Sequence, residues 1–424
     1  MKSPSAVATR QASPPDWPRR GLGDRVRVVL TGPAVLRPAF WGLRRWAPVL
    51  RLGRQVVVSR HDDVVEILRR DGDFTIAAVN AGRMARWSGP FILGMDRGDG
   101  YDREADALRR AVRPDDLPAL GHLVAGAASE LIEAARSRGR IDVVGGYGRI
   151  VAAQIVETYF GVPGPDRATT MRWMRALFDV VFIDEGSRAR RAAELTIAAQ
   201  CPYMDALIAA RREAIAAGRP VPDDVLSRLL ALSADEAWLD DDAVRRNMNG
   251  LIVGALDTTS KAVAHVVDEL LRRPAVLASA RRAALAGDID VVRAYAWEML
   301  RFRPHGPILK RHCRADTTVG AAGRRIPAGS AVLVSTLSAM LDPAAFPDPG
   351  QVRPDRPAER YLHFGAGLHA CFGRHINAVT VPELVAALLR LPGLRRAPGA
   401  SGRLVYDGPF PDRLLVEFDP EGDR

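Results

Sequence analysis

Residues 240–273 form the longest helix candidate in the chain without a proline, and any fold must be built around it. Asp240 or Asp241 can cap its start, and Arg272 and Arg273 suit its end ahead of Pro274. At about 1.5 Å per residue, roughly 30 residues span about 45 Å, enough to cross a whole domain. Its interior runs Leu251-Ile252-Val253-Gly254-Ala255-Leu256-Asp257-Thr258-Thr259. A glycine, an acid and two threonines are poor choices for a helix middle, so something other than helix stability put them there.

A second stretch, Phe364-Gly365-Ala366-Gly367-Leu368-His369-Ala370-Cys371-Phe372-Gly373, sets a thiol among glycines that let the backbone turn sharply and approach a flat ligand. From Cys371 onward, residues 375–379 and 384–389 read as helix with an apolar face. A cysteine at a helix N-terminus meets the positive end of the macrodipole, which favours the metal-binding thiolate. His369 is a polar donor beside that sulfur, able to bind an anionic group of the ligand. Alone, the run also describes an inert buried cysteine in a glycine-rich turn.

The rest of the chain narrows the choice. Its 424 residues carry no internal linker or repeat, and 47% are hydrophobic, so one large domain is expected over residues 21–424. Residues 1–20 mix Ser, Pro, Ala and Arg without an apolar run; they read as a disordered tail and not as a signal peptide. Cys201, Cys313 and Cys371 are far apart and odd in number, which excludes a disulfide framework and points to a reducing, cytoplasmic setting. Residues 28–50 are interrupted by Arg37, Arg44 and Arg45 and do not read as a membrane span. The net charge of +10 comes from scattered arginines interleaved with acids, with no zinc-finger spacing or basic arm, so no nucleic-acid partner is expected. Helical patterns are expected over residues 61–70, 105–113, 119–136, 143–160, 166–182 and 187–217, with a kink or break at Pro202. Residues 73–102 read as loop-rich, 54–59 and 331–336 as strands, and 404–418 as a hairpin around Asp407-Gly408-Pro409.

The cysteine run resembles the haem-binding loop of the cytochrome P-450 superfamily, Phe-Gly-x-Gly-x-His/Arg-x-Cys-x-Gly, with every fixed position filled. The central helix then resembles that superfamily's distal motif, and Glu298-Met299-Leu300-Arg301 with Arg356 resembles its Glu-Arg-Arg network. The resemblance implies a mainly α fold with a smaller β-rich part and heme b between the long central helix and the cysteine-loop helix. It implies Cys371 as metal ligand and Arg109, Arg311 and His369 at the haem propionates. Phe364, Gly365 and Gly373 shape the loop, Gly254 and Ala255 leave room for O₂, and Asp257 and Thr258 deliver protons. Glu298, Arg301 and Arg356 would lock the coil before the cysteine.

Several positions depart from the superfamily pattern. Ala255 stands where a second glycine is usual, and Ala105 where a propionate-binding His is usual, so that contact is either lost or supplied by Tyr101 or Arg103. Met340-Leu341-Asp342-Pro343 departs likewise, and Pro382 should kink or restart the helix after the cysteine. The implied function is a monooxygenase acting on a lipophilic small molecule, with NAD(P)H electrons arriving through a separate ferredoxin and ferredoxin reductase. Its pocket would draw on residues 84–91, 178–182, 248–256, 306–309 and 408–410, with Arg83, Arg86 and Lys310 available to a carboxylate. The alternatives are a haem-thiolate enzyme that does not activate O₂ (a peroxygenase, a hydroperoxide isomerase or dehydratase, or a nitrogen-group transferase) and a non-catalytic haem protein.

Overall fold

A computed structural model of the chain describes residues 33–183, 186–407 and 410–420. The tail expected over residues 1–20, and Gly408 and Pro409 of the expected hairpin, lie outside the described residues. The helices are α1 (Pro33–Trp46), α2 (His61–Arg69), α3 (Ala77–Trp87), α4 (Asp99–Ala111), α5 (Leu117–Arg136), α6 (Arg149–Thr158), α7 (Arg167–Phe178), α8 (Ser187–Ala216), α9 (Val225–Leu232), α10 (Asp241–Leu271), α11 (Pro274–Leu285), α12 (Ile289–Phe302), the short α13 (Thr336–Ala339) and α14 (Arg374–Leu389). The strands are β1 (Val49–Leu52), β2 (Gln55–Val58), β3 (Phe74–Thr75), β4 (Arg140–Asp142), β5 (Leu309–Cys313), β6 (Thr317–Val319), β7 (Arg324–Ile326), β8 (Ala331–Val334), β9 (Arg395–Arg396), β10 (Val405–Asp407), β11 (Phe410–Arg413) and β12 (Leu415–Glu417).

The proline-free segment is the central helix α10, capped by Asp240, whose carboxylate accepts from the Ala243 amide at 2.8 Å. It packs against α6, α7, α12 and α14. From residue 251 to 270 every side chain is buried except at Gly254, Ala255 and Thr258. A helix enclosed on all sides is held by its neighbours rather than by propensity, which is why its awkward middle stays helical.

The second structural part is a five-stranded sheet in the order β1-β2-β8-β5-β3, in which only β2 and β8 run parallel. Along β5 the alternation of the pleat turns Arg311 and Cys313 inward and leaves Lys310 exposed. This sheet and α2 share a core of their own, apart from the larger helical core.

Several expectations fail for physical reasons. Residues 73–102 are not mainly loop: α3 forms there and α4 begins at Asp99, because burial of Met84, Trp87 and Tyr101 outweighs the glycines that dilute the pattern. α8 runs unbroken through Pro202, and α14 through Pro382. In α14 the residues Thr380, Val381, Pro382 and Leu384 are all buried, so packing compensates for the lost backbone bond. The hairpin expected over residues 404–418 forms between β10 and β11, with Asp407 opposite Phe410, but it is shorter than expected: β12 joins β4 and β9 instead.

Candidate functional site

The cysteine loop folds back on itself through two backbone bonds, Cys371 N–H to the Phe364 carbonyl at 2.8 Å and Ala370 N–H to the Gly367 carbonyl at 3.1 Å. Gly367 is required outright. Its φ is +71°, and a Cβ there would lie 2.2 Å from the Leu68 carbonyl oxygen, so only glycine lets the loop rest on α2. Gly373 has φ −80° and serves as the N-cap of α14.

That helix starts at Arg374, three residues beyond the cysteine, and not at Cys371 as expected. The electrostatic consequence is a correction. Burial pushes the Cys371 thiol above its ordinary value, and the Gly373 amide and Arg374 pull it down without prevailing. The helix start alone does not bring the sulfur to its thiolate form.

Cys371 borders a cavity of about 380 Å³ whose walls include Leu93, Tyr101, Arg109, His369, Phe372 and Ile376. Both ring nitrogens of His369 are buried without a hydrogen-bond partner. Burial, with Arg311 nearby, holds its pKa down to about 4, so the ring is neutral at pH 7. Arg311 is itself buried, which lowers its pKa to about 10, and its guanidinium donates to the Lys310 carbonyl at 2.8 Å. Tyr101 packs edge-on to His369 at 5.7 Å and donates its hydroxyl to the Leu368 carbonyl at 2.9 Å. Tyr101 and Ala105 are both buried, one turn apart on α4, whereas Arg103 lies over Trp238 at 4.8 Å. An unpartnered imidazole and Arg109 on the wall of a largely apolar cavity, with Arg311 near enough to His369 to lower its pKa, fit a flat ligand carrying carboxylates.

On α10, the three residues not buried between 251 and 270 are Gly254, Ala255 and Thr258, spaced to share one face. A Cβ at Gly254 would meet nothing within 4 Å, so open space lies over that position. Thr258 Oγ1 donates to the Gly254 carbonyl. Thr259 Oγ1 donates to Asn377 Oδ1 at 3.0 Å, tying α10 to α14. Asp257 is deeply buried and faces two cations, Arg149 Nε at 3.0 Å and Arg175 Nε at 3.5 Å. The sequence reading missed both arginines. The available signal was a charge embedded in an apolar run, Arg149 beside Ile150-Val151 and Arg175 between Met174 and Ala176.

Glu298, Arg301 and Arg356 lie together in the structure. Arg301 forks onto Glu298 with bonds of 2.8 and 2.9 Å, both side chains fully buried, and Arg356 Nε lies 3.4 Å from the same carboxylate. Arg301 also donates to the carbonyls of Met340, Pro349 and Gln351, at 3.1, 2.8 and 2.9 Å. Tyr361 adds a hydroxyl donor to Glu298 at 2.8 Å, a member the sequence reading did not include. Asp342, in the departing Met-Leu-Asp-Pro run, accepts from the His61 amide at 3.0 Å.

The expected substrate walls are more closed than anticipated. Met84, Phe91, Phe178, Met248 and Phe410 are all buried; Phe91 packs onto the backbone of Gly250, and Phe178 meets Phe410 edge-on at 5.1 Å. Of the three side chains noted as available to a carboxylate, Arg86 and Lys310 are exposed and Arg83 is half-buried.

The family model for cytochrome P450 matches residues 53–391. The chain belongs to the cytochrome P450 family, whose cofactor is heme b held by a thiolate. It is 30% identical over 272 residues to the cyclomarin C epoxidase CymV of Salinispora arenicola, covering 63% of this chain and 65% of that protein. A 44% identity over 112 residues links it to a bifunctional dioxygenase–epoxy alcohol synthase of Fusarium oxysporum, covering 26% of this chain and 9% of that protein. The chain thus matches less than two thirds of the length of these curated relatives. The crystal structure of CalO2 superposes with a TM-score of 0.79 at 25% identity, covering 92% of this chain and 97% of that one. That of P450BioI with an acyl-ligated acyl carrier protein gives 0.78 at 18% identity, covering 91% and 99%, and shares the fold. No described helix is long and apolar enough to cross a membrane.

Proposed function

We propose that the protein is a cytoplasmic haem-thiolate monooxygenase that oxidises a lipophilic biosynthetic intermediate. Electrons come from NAD(P)H through a separate ferredoxin and its reductase. The observation that carries this reading is the open patch of Gly254, Ala255 and Thr258 in the otherwise buried stretch 251–270 of α10, with an acid adjoining the alcohol. The relatedness to an epoxidase supports it. Heme b, when bound, supplies the centre at which O₂ is reduced and oxygen transferred.

The chain's residues do the rest. Cys371 gives its sulfur to the metal, and Arg109, Arg311 and His369 hold the carboxylates. Phe364, Gly365 and Gly373 shape the loop beneath. Gly254 and Ala255 keep the helix backbone clear of the reacting face. Thr258 presents a hydroxyl there, and Asp257, anchored by Arg149 and Arg175, relays protons toward it through water. The apolar walls of Phe91, Phe178 and Phe410 exclude water and select a greasy substrate.

One observation favours a second reading, rearrangement of an organic hydroperoxide to an epoxy alcohol: the 44% identity over 112 residues to a protein named for that product. That reaction is an isomerisation and consumes no outside electrons. The test compares product, peroxide and NAD(P)H use in wild type, Thr258→Ala and Asp257→Asn, offered a lipophilic substrate panel with reductant or unsaturated hydroperoxides without it. Thr258→Ala should divert electrons into hydrogen peroxide. Asp257→Asn should slow turnover by ~10²–10⁴-fold, the usual loss for one positioned proton donor. Full activity on hydroperoxides without reductant, unmoved by either substitution, would transfer the assignment to the isomerase.

A further inference from the structure

Helix α1 is folded inside out. Two of its three arginines face the protein: Arg37 donates to the Phe302 carbonyl at 2.5 Å, and buried Arg44 donates to Ser338, at 3.1 Å to the carbonyl and 2.9 Å to the hydroxyl. Phe40 is buried between them. Its tryptophans face out, Trp41 59% and Trp46 74% exposed, with their rings edge-on at 5.4 Å. Gly42 makes that pairing possible, since a Cβ there would come within 3.2 Å of the Trp46 ring. Val35 and Leu52 are exposed as well, the latter near the tip of the edge strand β1. Of the eight large apolar side chains exposed among the described residues, these four fall between residues 35 and 52. Apolar surface gathered in this way marks a contact face.

The charge around it decides what the contact is. Residues 33–60 contain six arginines and no acid, and Arg45, Arg51, Arg54 and Arg60 are exposed. A second copy of this chain would set arginine against arginine, which disfavours self-association. An anionic lipid surface satisfies both halves of the patch: indoles settle at headgroup depth, and guanidinium groups pair with phosphate. We propose that α1 and the β1–β2 hairpin seat the protein peripherally on anionic membranes, with Trp41, Trp46, Arg45 and Arg51 as the contacts. This inference does not rest on the monooxygenase reading.

The test is flotation of full-length, haem-loaded protein with vesicles of phosphatidylcholine alone or mixed equally with phosphatidylglycerol. Wild type should bind the mixed vesicles at least ~10-fold more tightly than the neutral ones, with a blue shift of tryptophan emission. Trp41→Ser with Trp46→Ser, and separately Arg45→Glu with Arg51→Glu, should each weaken binding by ~10-fold or more while leaving the thermal midpoint unchanged. Three outcomes overturn the proposal: no binding to the mixed vesicles, binding undiminished in both variants, or a solution dimer that the tryptophan variant dissolves.

Discussion

His369 and Cys371 show how a side chain's chemistry is set by what surrounds it. The buried, unpartnered imidazole is unfavourable in the protein alone and would be relieved by a ligand bearing carboxylates, while burial favours the neutral thiol at Cys371 until a metal meets it. Cys371→Ser should therefore abolish the strongly red-shifted Soret band that a thiolate-ligated haem shows with CO after reduction. A wild-type protein with no haem, or with a histidine-type CO spectrum, would refute the assignment of the ligand. Gly367→Ala is the sharpest geometric test. It sets a methyl against the Leu68 carbonyl in a backbone region that costs L-residues ~1–3 kcal/mol, so haem retention should fall even though Cys371 is untouched.

At the scale of elements, α10 was legible because absence of proline, an N-cap and sheer length are local signals, and the cysteine loop because its spacing is dense. What was not legible depends on tertiary neighbours. α3 forms because Met84 and Trp87 find a core, and α14 survives Pro382 because its neighbours hold it. The partners of Asp257 lie 108 and 82 residues away in sequence, beyond any pattern along one helix. The same helix hides a further group. Lys261, one turn past Asp257, is buried with its ammonium donating to the His305 carbonyl at 2.9 Å. Burial foremost, with help from Arg175, lowers its pKa from 10.5 to about 7. The unfolded chain keeps that proton up to pH 10.5 and the folded one releases it near 7, so this group's contribution to stability grows as pH rises across that window. Lys261→Met should stabilise the protein by ~1–4 kcal/mol at pH 7, with the advantage shrinking toward pH 10. Thermal midpoints of both proteins at the two pH values check this.

For the whole molecule, the outer side of the cysteine loop carries Arg374 and His375 with Arg360 nearby in sequence, all exposed. A ferredoxin is typically acidic, so its reduction of this protein should slow by about 10-fold between low and high salt, since screening removes steering. Stopped-flow reduction across an ionic-strength series measures it, and a flat response would remove the ferredoxin from the proposal. The Glu298 cluster bears on how the molecule comes to be assembled. Glu298 gathers Arg301, the Arg353 amide, Arg356 and the Tyr361 hydroxyl, and Arg301 in turn donates to the carbonyls of Met340, Pro349 and Gln351, so the pair cinches a long stretch of coil into a single tie-point. The polypeptide on the approach to the thiol is thus disciplined by contacts that do not involve the porphyrin. Cofactor capture becomes the docking of a plate into a bracket already standing, and amide exchange in residues 340–361 should be slow before haem arrives as well as after.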